Sequence, residues 1–357
     1  MAVFYVLLFV PIIMQHFVVK KEYIDYEKKN KNALAVFFFL LTILVMLRHE
    51  VVGNDTKNYI YFFKLFSAVD WKDVGGYDLE TGFSYFNKII SIFSPEPQIF
   101  LSVFAVLTSV MIYLTYKRLC VDSSLTIVLF CTMSTFVMMF SGIRQMLAIG
   151  LGCIAYEFTR NKKLIPFVLI VWLALTFHAS AFMLAFMYPL YHARITKKWL
   201  IVVVPALVLI FILNKPIFLG LNILISKFTK YDGDITSTGA YTMLILFILF
   251  TAFAFLIPDE SKLDEETIGL RNFLLFSLAV QFFAPLHNLA MRMNYYYIIF
   301  IPLLLPKIIG CCSMQWRQVA QIARHVMVIF FLAYFFIQAN GVGGLNVFPY
   351  HFFWEAV

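Results

Sequence analysis

Residues Ala33 to Leu47 form an apolar run without a single charge, and it is one of about twelve apolar runs in the chain. They fall near 3–19, 33–47, 98–116, 124–140, 143–159, 164–177, 179–191, 199–213, 240–257, 272–289, 294–309 and 325–339. A helix crossing ~30 Å of hydrocarbon needs ~20 apolar residues. Continuous runs of this kind exclude a barrel, whose strands alternate over ~10 residues. Only 13% of the residues are charged and 62% are hydrophobic, against about 25% charge in an ordinary soluble domain. The expected fold is an all-α polytopic membrane protein of about twelve transmembrane helices, in one domain spanning 1–357, with both termini outside.

The net charge of +8 is expected to reflect basic cytoplasmic loops rather than nucleic acid. Charge also decides one ambiguity. Leu164 to Tyr191 reads either as one long helix or as two short ones meeting at His178. Two crossings put 18 of the 28 Lys and Arg inside, whereas one crossing splits them 14 to 14. The positive-inside rule selects two crossings. Each half is then ~21 Å long at 1.5 Å per residue, and the His178 corner lies below the outer surface. The first run lacks a basic leader and a small-residue cleavage site, so it is expected to be a helix rather than a signal peptide. Five cysteines lack CxxC spacing, so neither zinc nor a disulfide framework is expected.

The long outer loop 48–97 holds one amphipathic segment, 83–93, with Phe83, Phe86, Ile89, Ile90 and Phe93 on one face. It is expected to lie on the membrane. A second outer loop, 214–239, carries Asp232-Gly-Asp234, the spacing of a metal-binding acid pair. The acidic stretch Pro258 to Gly269 is expected to be a solvated inner connector.

This topology gathers unusual polar residues at outer helix ends: Arg48, Asp55 and Tyr59; Arg144 and Gln145; His178 and Ser180; His287, Asn288, Arg292 and Asn294; and Tyr350. Arginine near the bilayer centre costs roughly 2.5–3.5 kcal/mol on insertion scales, and Arg144 has almost no loop to escape into. Arg48, Arg144 and Arg292 on one side suit a diphosphate, because the guanidinium fork takes phosphate oxygens in pairs. The plainer reading is that each of these arginines snorkels to headgroups or pairs with Asp55 or Glu50. His178 is a candidate general base, since histidine titrates near neutrality. Asp55 is a second candidate, or a turn former at Gly53-Asn54-Asp55. HExxH, GxGxxG, P-loop and GxSxG motifs are absent, which argues against the chemistries they serve.

Arg48-x4-Gly53-x-Asp55-Thr56-x2-Tyr59 resembles the signature after an early span of the EpsG family, Wzy-type polymerases of bacterial O-antigen, capsule and exopolysaccharide. Ser141-Gly142-Ile143-Arg144-Gln145-x2-Ala148 is similar to that family's arginine-glutamine segment, and Phe177-His178-x-Ser180 to its histidine motif. Arg292-x2-Tyr295-Tyr296 and Pro349-Tyr350 resemble its later arginine and terminal Pro-Tyr. The resemblance implies a GT-C-like fold in the bacterial cytoplasmic membrane, with the active site facing the periplasm or exterior. It implies metal-independent, inverting glycosyl transfer without a cofactor. Donor and acceptor would be glycans on undecaprenyl diphosphate, and a chain-length regulator and flippase would share the pathway. His178, Asp55 and Arg144 would be catalytic, with His178 favoured as base and Asp55 positioning Arg48. Arg48, Gln145, Arg292, Tyr59, Tyr295 and Tyr350 would bind diphosphate or glycan. An O-antigen ligase, which usually carries a larger periplasmic loop, or a flippase are the other functions considered.

Overall fold

A computed structural model describes residues 2–17, 26–225, 240–340 and 345–357. Its regular elements are all helices, and the only extended pairings among the described residues are two single bridges, Arg48 with Phe352 and Pro258 with Cys312. A hydrocarbon environment dictates this, because a helix satisfies its own backbone polar groups. Three helices are long and apolar enough to cross a membrane, or six if each bent pair counts as one span, with three shorter apolar helices besides. The chain divides into two compact units: residues Met1–Phe182 with Arg324–Val357, and Met183–Ala323.

The first unit begins with α1 (Ala2–Phe17) and α2 (Tyr26–Met46), then α3 (Thr56–Ala68), α4 (Thr81–Phe93) and α5 (Pro97–Leu119). It continues with α6 (Ser123–Thr132), α7 (Ser134–Ser141), α8 (Ile143–Arg160) and α9 (Leu164–Phe177). Helices α2, α5, α8 and α9 pack side by side in that order. Polar side chains tie the unit at its two ends. At one end Asn30 receives Ser123 N–H at 2.9 Å and donates to the Val121 carbonyl at 3.0 Å, while Asp122 pairs with Arg324 at 2.5 Å. Arg118 and Glu157 pair there at 2.7 Å. At the other end Gln98 bonds to the Met46 carbonyl, and the tail 345–353 runs along residues 44–54. His49 N–H reaches the His351 carbonyl at 2.8 Å and Phe353 N–H the Leu47 carbonyl at 2.9 Å.

Gly53 explains how the polar stretch after α2 folds. Its φ of +89° lies in the left-handed region, and a Cβ there would strike the Phe140 carbonyl. Only glycine combines that dihedral with that approach. Thr56 then seals the turn, its hydroxyl donating to the Val52 carbonyl at 2.6 Å and to the Phe140 carbonyl at 3.2 Å. The α2–α3 turn is thereby fixed on the α7–α8 junction.

Several expectations need correction. The expected outer loop 48–97 contains a second helix, α3, with Tyr59, Ile60, Phe63 and Phe66 buried along one face. Lys57 and Lys64 interrupt the charge-free pattern that marked the spans. The amphipathic segment 83–93 is helical as α4, but its stripe is not simply laid on lipid. Phe83 and Ile90 are buried with Tyr59, Phe63, Phe100 and Phe104, and Phe86 meets Phe104 and Phe177 edge-on at 5.4 and 5.8 Å. Such aromatic pairs add ~0.5–1.5 kcal/mol each beyond area burial. Ile89, Ile92 and Phe93 remain exposed. The run 124–140 is broken at extended Met133, where α6 and α7 bend by 63°.

The second unit holds α10 (Met187–His192), α11 (Leu200–Ile212), α12 (Asn214–Ile225), α13 (Tyr241–Leu256), α14 (Glu265–Gln281), α15 (Asn288–Ile298) and α16 (Ile301–Gly310). Helix α17 (Arg317–Asn340) runs on into the first unit's residues. The run 294–309 is broken between α15 and α16 by a 49° bend. Part of the expected loop 214–239 is helix α12, and its Asp232 and Asp234 lie outside the described residues. The acidic stretch 258–269 is solvated only in part: Ser261, Lys262, Asp264 and Glu265 are exposed, but two of its acids are tied into the fold. Glu260 binds the fully buried Arg271 through two contacts of 2.6 and 3.3 Å, and Glu266 pairs with Lys307 at 2.6 Å. Arg271 also donates to the Ile195 carbonyl at 2.8 Å and lies 4.2 Å over the Phe255 ring.

Candidate functional site

The first unit brings four of the five anticipated segments toward its Arg48 end, and the fifth, around Arg292, belongs to the second unit. Helix α9 stops at His178, whose backbone is extended (φ −156°, ψ 124°), and a short 3-10 helix, Ala179–Phe186, follows. The expected break at this residue is therefore present. His178 Nδ1 lies 3.2 Å from Ser180 N and 2.7 Å from Ser180 Oγ. A backbone N–H can only donate, so Nδ1 accepts, and the neutral ring carries its proton on Nε2. Gln145, on the first turn of α8, donates to Ser180 Oγ at 3.4 Å. The polarity runs from Gln145 to Ser180 to His178. Read this way, His178 offers an N–H donor at Nε2, whereas a general base would need a bare nitrogen there. His49 and His287 cap their own backbones in the same manner, accepting from Val51 and Leu289 at 3.3 and 2.9 Å.

Arg144 stands one residue beside Gln145, at the start of α8, and its partner is a residue that sequence reasoning missed. Glu80, immediately before α4, forms an ion pair with Arg144. Its other oxygen, Oε1, accepts Ala179 N–H at 3.1 Å. The two side chains are about one-fifth exposed. The guanidinium also lies 5.6 Å from the Tyr59 ring centre and 5.3 Å from that of Phe83. Cation–π contacts of this kind contribute ~0.5–2 kcal/mol, more where water is excluded. An isolated arginine in an apolar sequence announces a missing anion. Glu80 is separated from it by 64 positions, so spacing alone could not supply the match.

Arg48 is fully buried and pairs with neither Asp55 nor Glu50. One of its terminal nitrogens donates to the Val45 carbonyl, while Nε and Nη2 find no hydrogen-bond partner among the described residues. Burial lowers its pKa to about 10, partly opposed by Tyr350 and Tyr59, so it stays charged at neutral pH. Tyr350 is buried beside it. Its hydroxyl donates to the Leu44 carbonyl at 2.8 Å and its pKa is pushed up, chiefly by that burial. Tyr350 thus holds the tail down, and Phe4, Phe140 and Phe352 pack around its ring. Tyr59 is the residue that faces both arginines. Asp55 opens α3, half-exposed, with no side-chain cap bond.

Arg292 and Tyr295 belong to the second unit, on α15, where Arg292 is half-buried and Tyr295 buried. Between them, Asn294 is fully buried, donating to the Ser277 carbonyl at 3.0 Å and to Gln281 at 2.9 Å. Its role is to join α15 to α14. Among the described residues no three His, Cys, Asp or Glu side chains are grouped as a metal site would require.

The first unit's cluster is rich in donors: the Arg144 guanidinium, the His178 Nε2–H and the Gln145 amide. Donors so arranged suit an anionic or polyhydroxylated ligand. No curated protein and no solved structure matches the chain. A family model does, over residues 31–352. With nearly the whole chain matched, this helical membrane protein belongs to the EpsG family, a family of Wzy-like polysaccharide polymerases.

Proposed function

We propose that the chain is a glycosyltransferase that joins oligosaccharide repeat units carried on undecaprenyl diphosphate, at the outer face of the bacterial cytoplasmic membrane. The observation that carries this reading is the meeting of Arg144, Glu80, Tyr59, Gln145 and His178 at one end of the first unit, in a chain of this family. An acceptor sugar hydroxyl attacks the anomeric carbon of the donor. The bond from that carbon to the diphosphate oxygen breaks, and the diphosphate leaves with the electron pair. In-line attack inverts the anomeric centre.

Charge grows on the leaving diphosphate, and fixed donors in a poorly hydrated site stabilise it most effectively. Arg144 is assigned that task, with Tyr59 beside it. Arg48 and Tyr350 are buried against each other and are given a supporting role, and Arg292 and Tyr295, expected as ligands from the sequence, belong to the second unit. The hydrogen bonds around His178 favour a donor role for it. Asp55, whose carboxylate is half-exposed and not engaged in a cap, is then the better acceptor for the hydroxyl proton. The about twelve crossings in a GT-C-like arrangement, outside termini and cooperation with a chain-length regulator and flippase belong to the same reading.

Deleting the gene is expected to leave surface glycan as a single repeat unit. An unaltered ladder, or loss of all glycan, would remove the assignment. Purified protein supplied with synthetic lipid-linked repeats is expected to polymerise them in EDTA, and Arg144→Ala to lower the rate ~10²-fold or more, as loss of a charge-stabilising donor does.

A further inference from the structure

The position of Glu80 points to a role that its sequence context conceals. It ends a loop and precedes α4, where an acidic residue would ordinarily be a helix cap. Yet its side chain makes no cap bond to its own helix. Both oxygens are turned instead to other parts of the fold: Oε2 to Arg144 on α8 and Oε1 to Ala179 N–H, the first amide after His178. A single carboxylate therefore ties the guanidinium to the corner that carries the histidine.

The approach that permits this is built into α4. Gly82 lies so close to α9 that a Cβ would overlap the Thr176 side chain and carbonyl. Phe86, one turn on, packs against Phe177. The start of α4 is thus seated against the last turn of α9, and Glu80 is delivered to the break. Gln145, beside Arg144, reaches the same corner through Ser180. Three elements distant in sequence are locked around one carboxylate.

We infer that Glu80 is a positioning residue for the proposed glycosyl transfer: it sets the Arg144 guanidinium and the His178 corner in register while both of its oxygens stay engaged. This inference rests on the polymerase reading. A displacement of ~1 Å in a catalytic group can cost ~10²-fold. The part of the carboxylate's effect that runs through Arg144 must also be lost once Arg144 is gone.

The test is a cycle of Glu80→Gln, Arg144→Gln and the double variant, each purified and assayed with synthetic undecaprenyl-diphosphate-linked repeats. Glu80→Gln is expected to lower kcat ~10–100-fold, with KM changed less than kcat. The double variant is expected to lose far less than the product of the two single losses, only the part exerted through the Ala179 contact persisting without Arg144. A Glu80→Gln enzyme with wild-type kcat, or losses in the two single variants that multiply in the double, would overturn the inference. Should Glu80→Gln not accumulate, Glu80→Asp serves in its place. It keeps the charge and shortens the reach by one methylene, so a severalfold fall in kcat is expected, and wild-type kcat would again overturn the role. Wild-type protein that makes no polymer would instead defeat the polymerase reading, so the two failures are distinguishable.

Discussion

At the level of single residues, His178 shows how a hydrogen-bond partner determines chemical role. Its Nδ1 is engaged by Ser180 through both backbone and hydroxyl, which leaves the neutral ring a donor. Asparagine has comparable geometry for this post: its side-chain oxygen caps a following backbone N–H, and its amide retains a donor. His178→Asn is therefore expected to preserve the corner and to reduce polymer synthesis only about tenfold, while His178→Ala loses cap and donor together and falls ~10²-fold. Chain-length ladders from the purified variants distinguish these. An Asn variant as inactive as the Ala variant would return the proton-acceptor role to His178. Arg144 and Arg48 differ in the same physical way. Arg144 has a carboxylate and two aromatic faces around it, whereas Arg48 lies buried beside Tyr350 with two guanidinium nitrogens unsatisfied among the described residues.

Among the elements, ion pairs do structural work where the sequence suggested a free loop. Glu260 binds Arg271, which has no solvent exposure. Removing one partner of such a pair strands the other charge, at a cost of about 3 kcal/mol. Glu260→Ala is expected to lower thermal stability in detergent by that order, and adding Arg271→Met to restore much of it. If the single variant melts like wild type, Glu260 does not hold the loop. The apolar runs predicted most of the long helices because hydrocarbon leaves the chain few alternatives, as α2, α5, α8 and α9 illustrate. They missed α3, whose two lysines interrupt the pattern while its buried face keeps helical spacing. They also merged α6 with α7, since Met133 is apolar and nothing in its side chain marks an extended backbone. At the site, Arg144, Gln145 and His178 stood out in sequence because polar groups in apolar surroundings require partners. Glu80 did not, because an acid before a helix looks ordinary until the fold places it against another helix.

For the molecule as a whole, the charges of the first unit separate into two ends. Helix α8 carries Arg144 in its first turn and Arg160 in its last, and its 18 residues span about 27 Å at 1.5 Å per residue, close to the ~30 Å of a bilayer core. The Arg160 end also gathers Lys117, Arg118 and Lys162 in sequence, with Glu157 pairing Arg118. The Arg144 end faces Glu80 and the loop that includes exposed Asp78. By the positive-inside rule the Arg160 end is expected in the cytoplasm and the Glu80 end outside. This orientation is open to direct measurement in a variant lacking the five native cysteines and still able to make polymer. Asp78→Cys is expected to react with a membrane-impermeant maleimide in intact cells. Asn161→Cys, exposed at the opposite end, is expected to react only after permeabilisation. The reverse pattern would place the Arg144 cluster in the cytoplasm, where polymerisation of outward-facing lipid-linked repeats has no substrate. Labelling of both positions in intact cells would mean that α8 does not cross the membrane at all.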